Sequence, residues 1–357
     1  MAPITTETLL AIARQTWRRN INPKGPAVYP SHSYGGIYLR DTFWTLAALA
    51  NRRLSRAQRD QFARAQRSSG QIPSFFEHFR GRAHYDDDES TVLYVIWMYL
   101  DYQHFGALPD LPRLQKALHY LTHFDQGGYY ISSGQGPHSW LDTLRINPPD
   151  TLGYTQGRFA VALRCAEVMQ ARIRPAQVKA AAHAYAALYR PSVGYIPLLR
   201  HSQDSDVSVL TGEFVSLWLF GLPMLSDHTV LSTLHHFTST AVGYKVIAQL
   251  GGDYLAAHRF SVPLSPGDYQ NGATWLLYDY MALATGYLHG WVGAQALMTR
   301  RLALEIRDGF IFSEYRCTNN ALLCMHKGDP ARAYTAWNTF LLVINQVVDC
   351  RSGRGRW

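Results

Sequence analysis

Apolar residues recur at helical spacing along almost the whole chain. The segments are 5–18, 41–51, 56–67, 89–104, 110–123, 155–170, 175–190, 211–221, 226–239, 270–288, 290–306 and 331–348. Two kinds of segment alternate. Stretches 42–50, 92–100 and 275–284 are apolar and aromatic almost throughout, so a helix there must be covered on every side. Their neighbours carry Arg, Gln and Lys on one face and suit an outer position. The pattern predicts six helical pairs, each with one inner and one outer helix.

The connections repeat as well. Outer segments lead into a glycine, an aromatic residue and a short extended piece, as at Gly128-Tyr129-Tyr130-Ile131, Gly194-Tyr195-Ile196-Pro197, Gly243-Tyr244-Lys245-Val246 and Gly309-Phe310-Ile311-Phe312. A polar string then opens each inner segment: Arg40-Asp41-Thr42, Asp87-Asp88-Glu89-Ser90, Gly153-Tyr154-Thr155-Gln156, Thr211-Gly212-Glu213 and Asp268-Tyr269-Gln270-Asn271. These strings return every 50 to 65 residues or so, the period of a helix-pair repeat. Six inner helices running the same way, each wrapped by an outer one, predict an all-α (α/α)6 barrel with short hairpins at one mouth. An open solenoid is the alternative, but its loops are short and uniform, whereas these are long and rich in Asp, Tyr, Gly and Pro. No linker or low-complexity tract interrupts the chain, so residues 1–357 are expected to form one domain.

Composition narrows the partners. The net charge of +8 invites a nucleic-acid reading, yet much of it is arginine spread over outer faces, at Arg52, Arg53, Arg56, Arg59, Arg64 and Arg67. No nucleic-acid motif accompanies it. Cys165, Cys317, Cys324 and Cys350 lack paired spacing and are expected to be reduced thiols of a cytoplasmic protein. No signal peptide or membrane-spanning run is evident, and no His/Cys/carboxylate spacing suggests a metal or cofactor. His235-His236 is expected at the surface. The chain holds 22 Tyr and 9 Trp, many beside Asp, Arg and Gly, where rings offer platforms for sugar C–H faces. On composition alone, filling of a large core is the favoured explanation of the aromatics.

Because the inner helices begin at one mouth, the polar strings converge there. Asp86, Asp87, Asp88 and Glu213 read most simply as helix caps, with Asp204 and Asp206 as reserve acids or sugar ligands. Arg40-Asp41 differs, since an arginine at a helix start opposes the dipole; a fork facing substrate is the alternative. Two further carboxylates stand out, Asp142 in Ser139-Trp140-Leu141-Asp142 and Glu314 in Ser313-Glu314-Tyr315. Rings beside Asp142 favour a protonated acid, and Arg316 near Glu314 favours an ionised base. One protonated and one ionised carboxyl is the pair that glycosidic hydrolysis requires. Plainer roles stay open: Asp142 capping a turn, Glu314 simply pairing with Arg316.

At these strings the chain resembles the six-hairpin glycosidases, including glucoamylases, amylo-α-1,6-glucosidases and glycoside hydrolase family 63. Tyr38-Leu39-Arg40-Asp41-Thr42-Phe43-Trp44 is similar to their Trp-x-Arg-Asp string. His138-Ser139-Trp140-Leu141-Asp142-Thr143 resembles the Glu-Ser-Gly-x-Asp-Asn string of family 63. Tyr269-Gln270-Asn271-Gly272-Ala273-Thr274-Trp275 is similar to the Tyr-Gln-Asn-Gly-Gly-x-Trp string of the fold, and Ser313-Glu314-Tyr315 to its Glu-Tyr string. His138 and Trp140 depart from the family 63 pattern.

The resemblance implies an inverting hydrolase with Asp142 as general acid and Glu314 as general base. It places Arg40 and Asp41 on the sugar at subsite −1, with Tyr38, Trp44, Asp88, Trp140, Gln270, Asn271 and Trp275 around it. The expected partner is a small, α-linked gluco-configured saccharide or glycoside, without metal, cofactor, nucleic acid or membrane. A sugar phosphorylase on the same barrel and a non-catalytic carbohydrate- or partner-binding barrel are the competing readings.

Overall fold

A computed structural model describes residues 6–20, 28–29, 36–77, 81–134, 139–141, 143–237, 239–240, 243–244, 247–248, 259–262, 271–272, 274–307, 315–316 and 336–351. Among the described residues are twelve α-helices, one for each periodic segment. They are α1 (Thr6–Asn20), α2 (Leu39–Leu49), α3 (Arg52–Arg64), α4 (Glu89–Phe105), α5 (Leu111–His123) and α6 (Gly153–Val168). The second half supplies α7 (Pro175–Ala186), α8 (Thr211–Phe220), α9 (Asp227–His236), α10 (Leu276–Leu288), α11 (Gly293–Arg307) and α12 (Leu341–Arg351).

The even-numbered helices form a ring. Each packs on the next from α2 to α12, and α12 with the 3₁₀ turn before it (Ala336–Phe340) returns to α2. That return makes the assembly a closed barrel and excludes the open solenoid. The odd-numbered helices lie outside, with α1 on α12, α3 on α2 and α4, α5 on α4 and α6, α7 on α6, and both α9 and α11 on α10. Burial follows this layering. α4 buries every residue from Glu89 to Asp101, whereas α5 buries only Leu114, Ala117, Leu118 and Leu121, a single stripe at i, i+3, i+4 and i+7.

Buried polar anchors fix outer helices to inner ones. Asp101 on α4 accepts from Ser55 Oγ at 2.6 Å and pairs with Arg59 at 2.6 Å, both on α3. Asp279 on α10 meets Arg301 Nε of α11 at 3.2 Å, with both side chains buried. Glu213 does not cap its own helix. It accepts from the backbone N–H groups of Met224 and Leu225 and meets His289 Nε2 at 3.0 Å, while His289 Nδ1 lies 2.7 Å from Asp227 of α9. Burial alone would depress the His289 imidazole, but these two carboxylates outweigh it and hold its pKa above the usual value. Not every arginine of the basic helix face is solvated as expected: Arg59 is tied to Asp101, and Arg67 lies over the Tyr85 ring.

Adjacent inner helices α6 and α8 touch through glycines. A Cβ on Gly212 would come within 2.4 Å of Gly157 Cα, and one on Gly157 within 2.9 Å of Tyr185 Cζ. Gly212 belongs to one opening polar string and Gly157 directly follows another, so this contact holds the first turns of the two helices together. Gly212→Ala is expected to cost about 1–3 kcal/mol, the range for overpacking a dense core. Urea denaturation would show it as a lower midpoint at constant m; an unchanged midpoint would mean the crossing can widen freely.

Short antiparallel strand pairs stand before the inner helices. Ile37–Tyr38 pairs with Phe75–Phe76, which pairs with Ala83–His84. Ser132–Gly134 pairs with Ile146–Asp150 before α6, and Ser205–Asp206 with Ile247–Ala248 before α8. Thr274–Trp275 pairs with Tyr315–Arg316 before α10. This last pair corrects the periodicity reading, which carried the helix back to 270. Strand pairing holds 274–275 extended, so α10 starts at Leu276. The segment 331–348 is likewise divided, with a 3₁₀ turn ending at Phe340 and α12 following.

The barrel axis is filled. Trp44 packs on Phe340 at a ring separation of 4.5 Å, and Phe340 on Trp218 at 4.9 Å. This aromatic column separates the mouth from a cavity of about 540 Å³ at the opposite end, between the last turns of α4 and α8. Among the described residues no helix is long and apolar enough to cross a membrane.

Candidate active site at the barrel mouth

The starts of α2, α4 and α6 bring three charged side chains together. Glu89, the first residue of α4, is buried. Its Oε2 accepts from Arg40 Nη1 of α2 at 3.1 Å, and its Oε1 accepts from Arg158 Nη1 and the Tyr154 hydroxyl, both of α6. Arg158 also donates to the Tyr154 hydroxyl. Its guanidinium carbon lies 3.9 Å from the centre of the Tyr154 ring and 5.0 Å from that of Trp44. A carboxylate buried against two guanidinium groups avoids the desolvation cost that it would bear alone. Glu89 also resolves the puzzle of Arg40, whose charge at a helix start is balanced by the neighbouring inner helix.

Other acids stand near the helix starts. Burial pushes the Asp41 carboxyl up to about 6, against the pull of Arg40. Burial and the charge of Glu89 push Asp87 up to about 7, although its Oδ1 accepts from the Ser90 N–H at 2.7 Å and caps α4 as expected. Asp88 Oδ1 accepts from the Tyr120 hydroxyl at 2.6 Å, a tie between α4 and α5. Asp206 is fully buried and accepts from the Ser208 N–H at 2.7 Å; burial lifts its carboxyl to about 8. Asp204 pairs with Arg259 at 3.2 Å.

Aromatic rings enclose this charged centre. Trp140 packs on Tyr278 at 4.4 Å and on Trp275 at 4.9 Å between ring centres, with Tyr154 at 6.4 Å. Trp140, Trp275, Tyr154 and Tyr278 are all buried. Tyr38 stacks on Phe75 at 4.9 Å, and Phe75 on His84 at 4.3 Å, across the three-stranded sheet.

The predicted site residues are therefore distributed unevenly. Arg40, Asp41, Trp140, Trp275 and buried Asn271 gather at the mouth, with Tyr38 on the sheet that leads into α2. Trp44 is buried among Phe43, Phe340 and Arg158. Asp142, Glu314 and Gln270 lie outside the described residues, as do His138, Cys317 and Cys324. Cys165 is buried, and both it and Cys350 are free thiols. His236 corrects the surface expectation: it stacks on Tyr195 at 3.8 Å and lies 3.1 Å from Ser205 Oγ. Glu89 and Arg158 were missed. The signal for Arg158 was a charge within a stretch of α6 that is otherwise uncharged and buried from 153 to 163, whereas Glu89 sits in a string that looks like a cap. Among the described residues no group of three His, Cys, Asp or Glu side chains is placed to hold a metal ion.

Solved structures share this architecture. A glycosidase variant in complex with glucose aligns with a TM-score of 0.62 at 15% identity, over 98% of each chain. A GH63 mannosylglycerate hydrolase from Thermus thermophilus, also in complex with glucose, aligns with a TM-score of 0.61 at 14% identity, over 94% of this chain and 99% of that one. The fold is that of a GH63-like glycosidase. No family model matches the sequence, and no curated protein matches it.

Proposed function

We propose that the protein is an inverting glycoside hydrolase whose single catalytic domain, 1–357, acts on a small, α-linked gluco-configured saccharide or glycoside. One observation carries this reading. Trp140, two positions before Asp142, packs on Trp275, and Trp275 pairs in a strand with Tyr315, the residue after Glu314. The described parts of the two strings, Trp140 and Tyr315, thus meet through Trp275, which supports a common site for the candidate acid and base. The glucose complexes of proteins with this fold support a sugar as the ligand.

In this reading the Asp142 carboxyl protonates the departing glycosidic oxygen. Glu314 takes a proton from a water that attacks the anomeric carbon on the opposite face. Arg40 donates to sugar hydroxyls and Asp41 accepts from them, while the rings of Trp140 and Trp275 pack the site against bulk water. A cytoplasmic location agrees with the reduced-thiol reading of the cysteines.

A panel of α- and β-linked glucosides and mannosides, assayed with and without phosphate, tests the assignment. Hydrolysis of an α-glucoside independent of phosphate is expected. Cleavage only with phosphate would make the protein a phosphorylase, and no turnover across the panel would leave a binding barrel.

A further inference from the structure

The charged centre beneath the mouth has a direction. Arg158 and Tyr154 both reach Oε1 of Glu89, and Arg40 alone among the described residues reaches Oε2. The Arg158 side chain is 1% exposed and that of Glu89 2%, whereas that of Arg40 is 17% exposed. Arg158 is held between the rings of Tyr154 and Trp44, so its place is set by the core. Glu89 is set in turn by Arg158 and Tyr154. Arg40 is the one member partly open to the mouth.

We propose that Glu89 is a positioning residue that fixes the Arg40 guanidinium for substrate, with Arg158 and Tyr154 locking Glu89 from behind. The proposal rests on the reading that Arg40 binds the sugar. A long arginine left to itself samples many rotamers and must be ordered when it binds; one already paired with a fixed carboxylate oxygen is ordered beforehand. The carboxylate does this with one oxygen and spends the other on its own anchorage. The arrangement crosses three inner helices, so the orientation of Arg40 is tied to the ring.

Glu89→Gln tests this directly, because it keeps the side-chain volume and removes the charge that attracts Arg40. The Arg40 guanidinium is expected to leave its position in a crystal structure of the variant. KM should rise about tenfold on a substrate the native protein turns over, with kcat changed less than threefold. A double-mutant cycle separates positioning from mere packing. In an Arg40→Ala background, Glu89→Gln should have no further effect on KM. Arg158→Lys, which keeps the charge and loses the planar guanidinium between the Tyr154 and Trp44 rings, should give an intermediate rise and serves if Glu89→Gln fails to fold.

Arg40 unmoved in the Gln variant overturns the proposal whatever the kinetics, as do additive effects in the cycle. A native protein inactive on every glycoside sinks the hydrolase assignment instead, and the crystal structure still decides whether Glu89 positions Arg40. A displaced Arg40 with unchanged KM also overturns the proposal, by showing that its position does not matter to substrate.

Discussion

Asp142→Asn and Glu314→Gln are each expected to lower kcat by about 10²-fold or more, the usual contribution of a positioned acid or base. The two losses should differ in kind. Without the acid, a glycoside whose leaving group has a low pKa still departs, so activity on an activated aryl glycoside should partly return in Asp142→Asn. Glu314→Gln should show no such recovery, because the water remains without a base. The first product of the native protein should carry inverted anomeric configuration, visible by proton NMR before mutarotation. Inversion requires room for a water, hence a carboxyl separation of roughly 6.5–9.5 Å, against roughly 5–5.5 Å for a nucleophilic mechanism. Retained configuration, or near-native activity in both variants, would move the search to Asp87 and Asp206. Burial raises both of these carboxyls, to about 7 and about 8, and both stand at helix starts on the same side of the barrel.

Arg301→Met is expected to destabilise the protein by about 3–5 kcal/mol, the cost of leaving one partner of a buried ion pair uncompensated. Asp279 is fully buried, and Arg301 Nε lies 3.2 Å from its Oδ2. Folded domains have only about 5–15 kcal/mol in hand, so the urea midpoint should fall far. The double variant Asp279→Leu with Arg301→Met should recover much of the loss, since apolar residues of similar size remove the stranded carboxylate. A drop below about 1 kcal/mol in Arg301→Met would show that water or another group takes over the carboxylate.

The helical plan was written in periodicity because burial dictates it. An inner helix such as α4 has no exposed face over 89–101, and α5 has one stripe, so the two differ in composition along their whole length. What pairing decides was hidden. Thr274 and Trp275 fit a helical period and are strand because Tyr315 and Arg316 lie beside them, forty positions on. The mouth was half legible. Arg40 and Asp41 were found as an anomaly at a helix start, but Glu89 sat inside an Asp-Asp-Glu-Ser string that looks like a cap. Only the pairing of Glu89 with Arg40 and Arg158, on helices far apart in sequence, distinguishes it from Asp87, which does cap. The packing of Trp44 on Phe340, from the other end of the chain, has no local signal in the sequence.

That same Trp44–Phe340 contact says something about assembly on the ribosome. Synthesis runs from α1 onward, so Trp44 emerges nearly three hundred residues before its partner. Until 336–351 follow, α2 lacks the neighbour that closes the ring and α1 lacks the helix it lies on. The nascent barrel is an open arc with two apolar edges, a form exposed to aggregation while growth continues. Closure then joins the earliest-made helices to the last, which brings α1 and α12 side by side. A short linker between them, with new ends cut in an exposed loop such as that after α4, would give a permuted chain in which α12 is made beside its partners and the arc closes elsewhere.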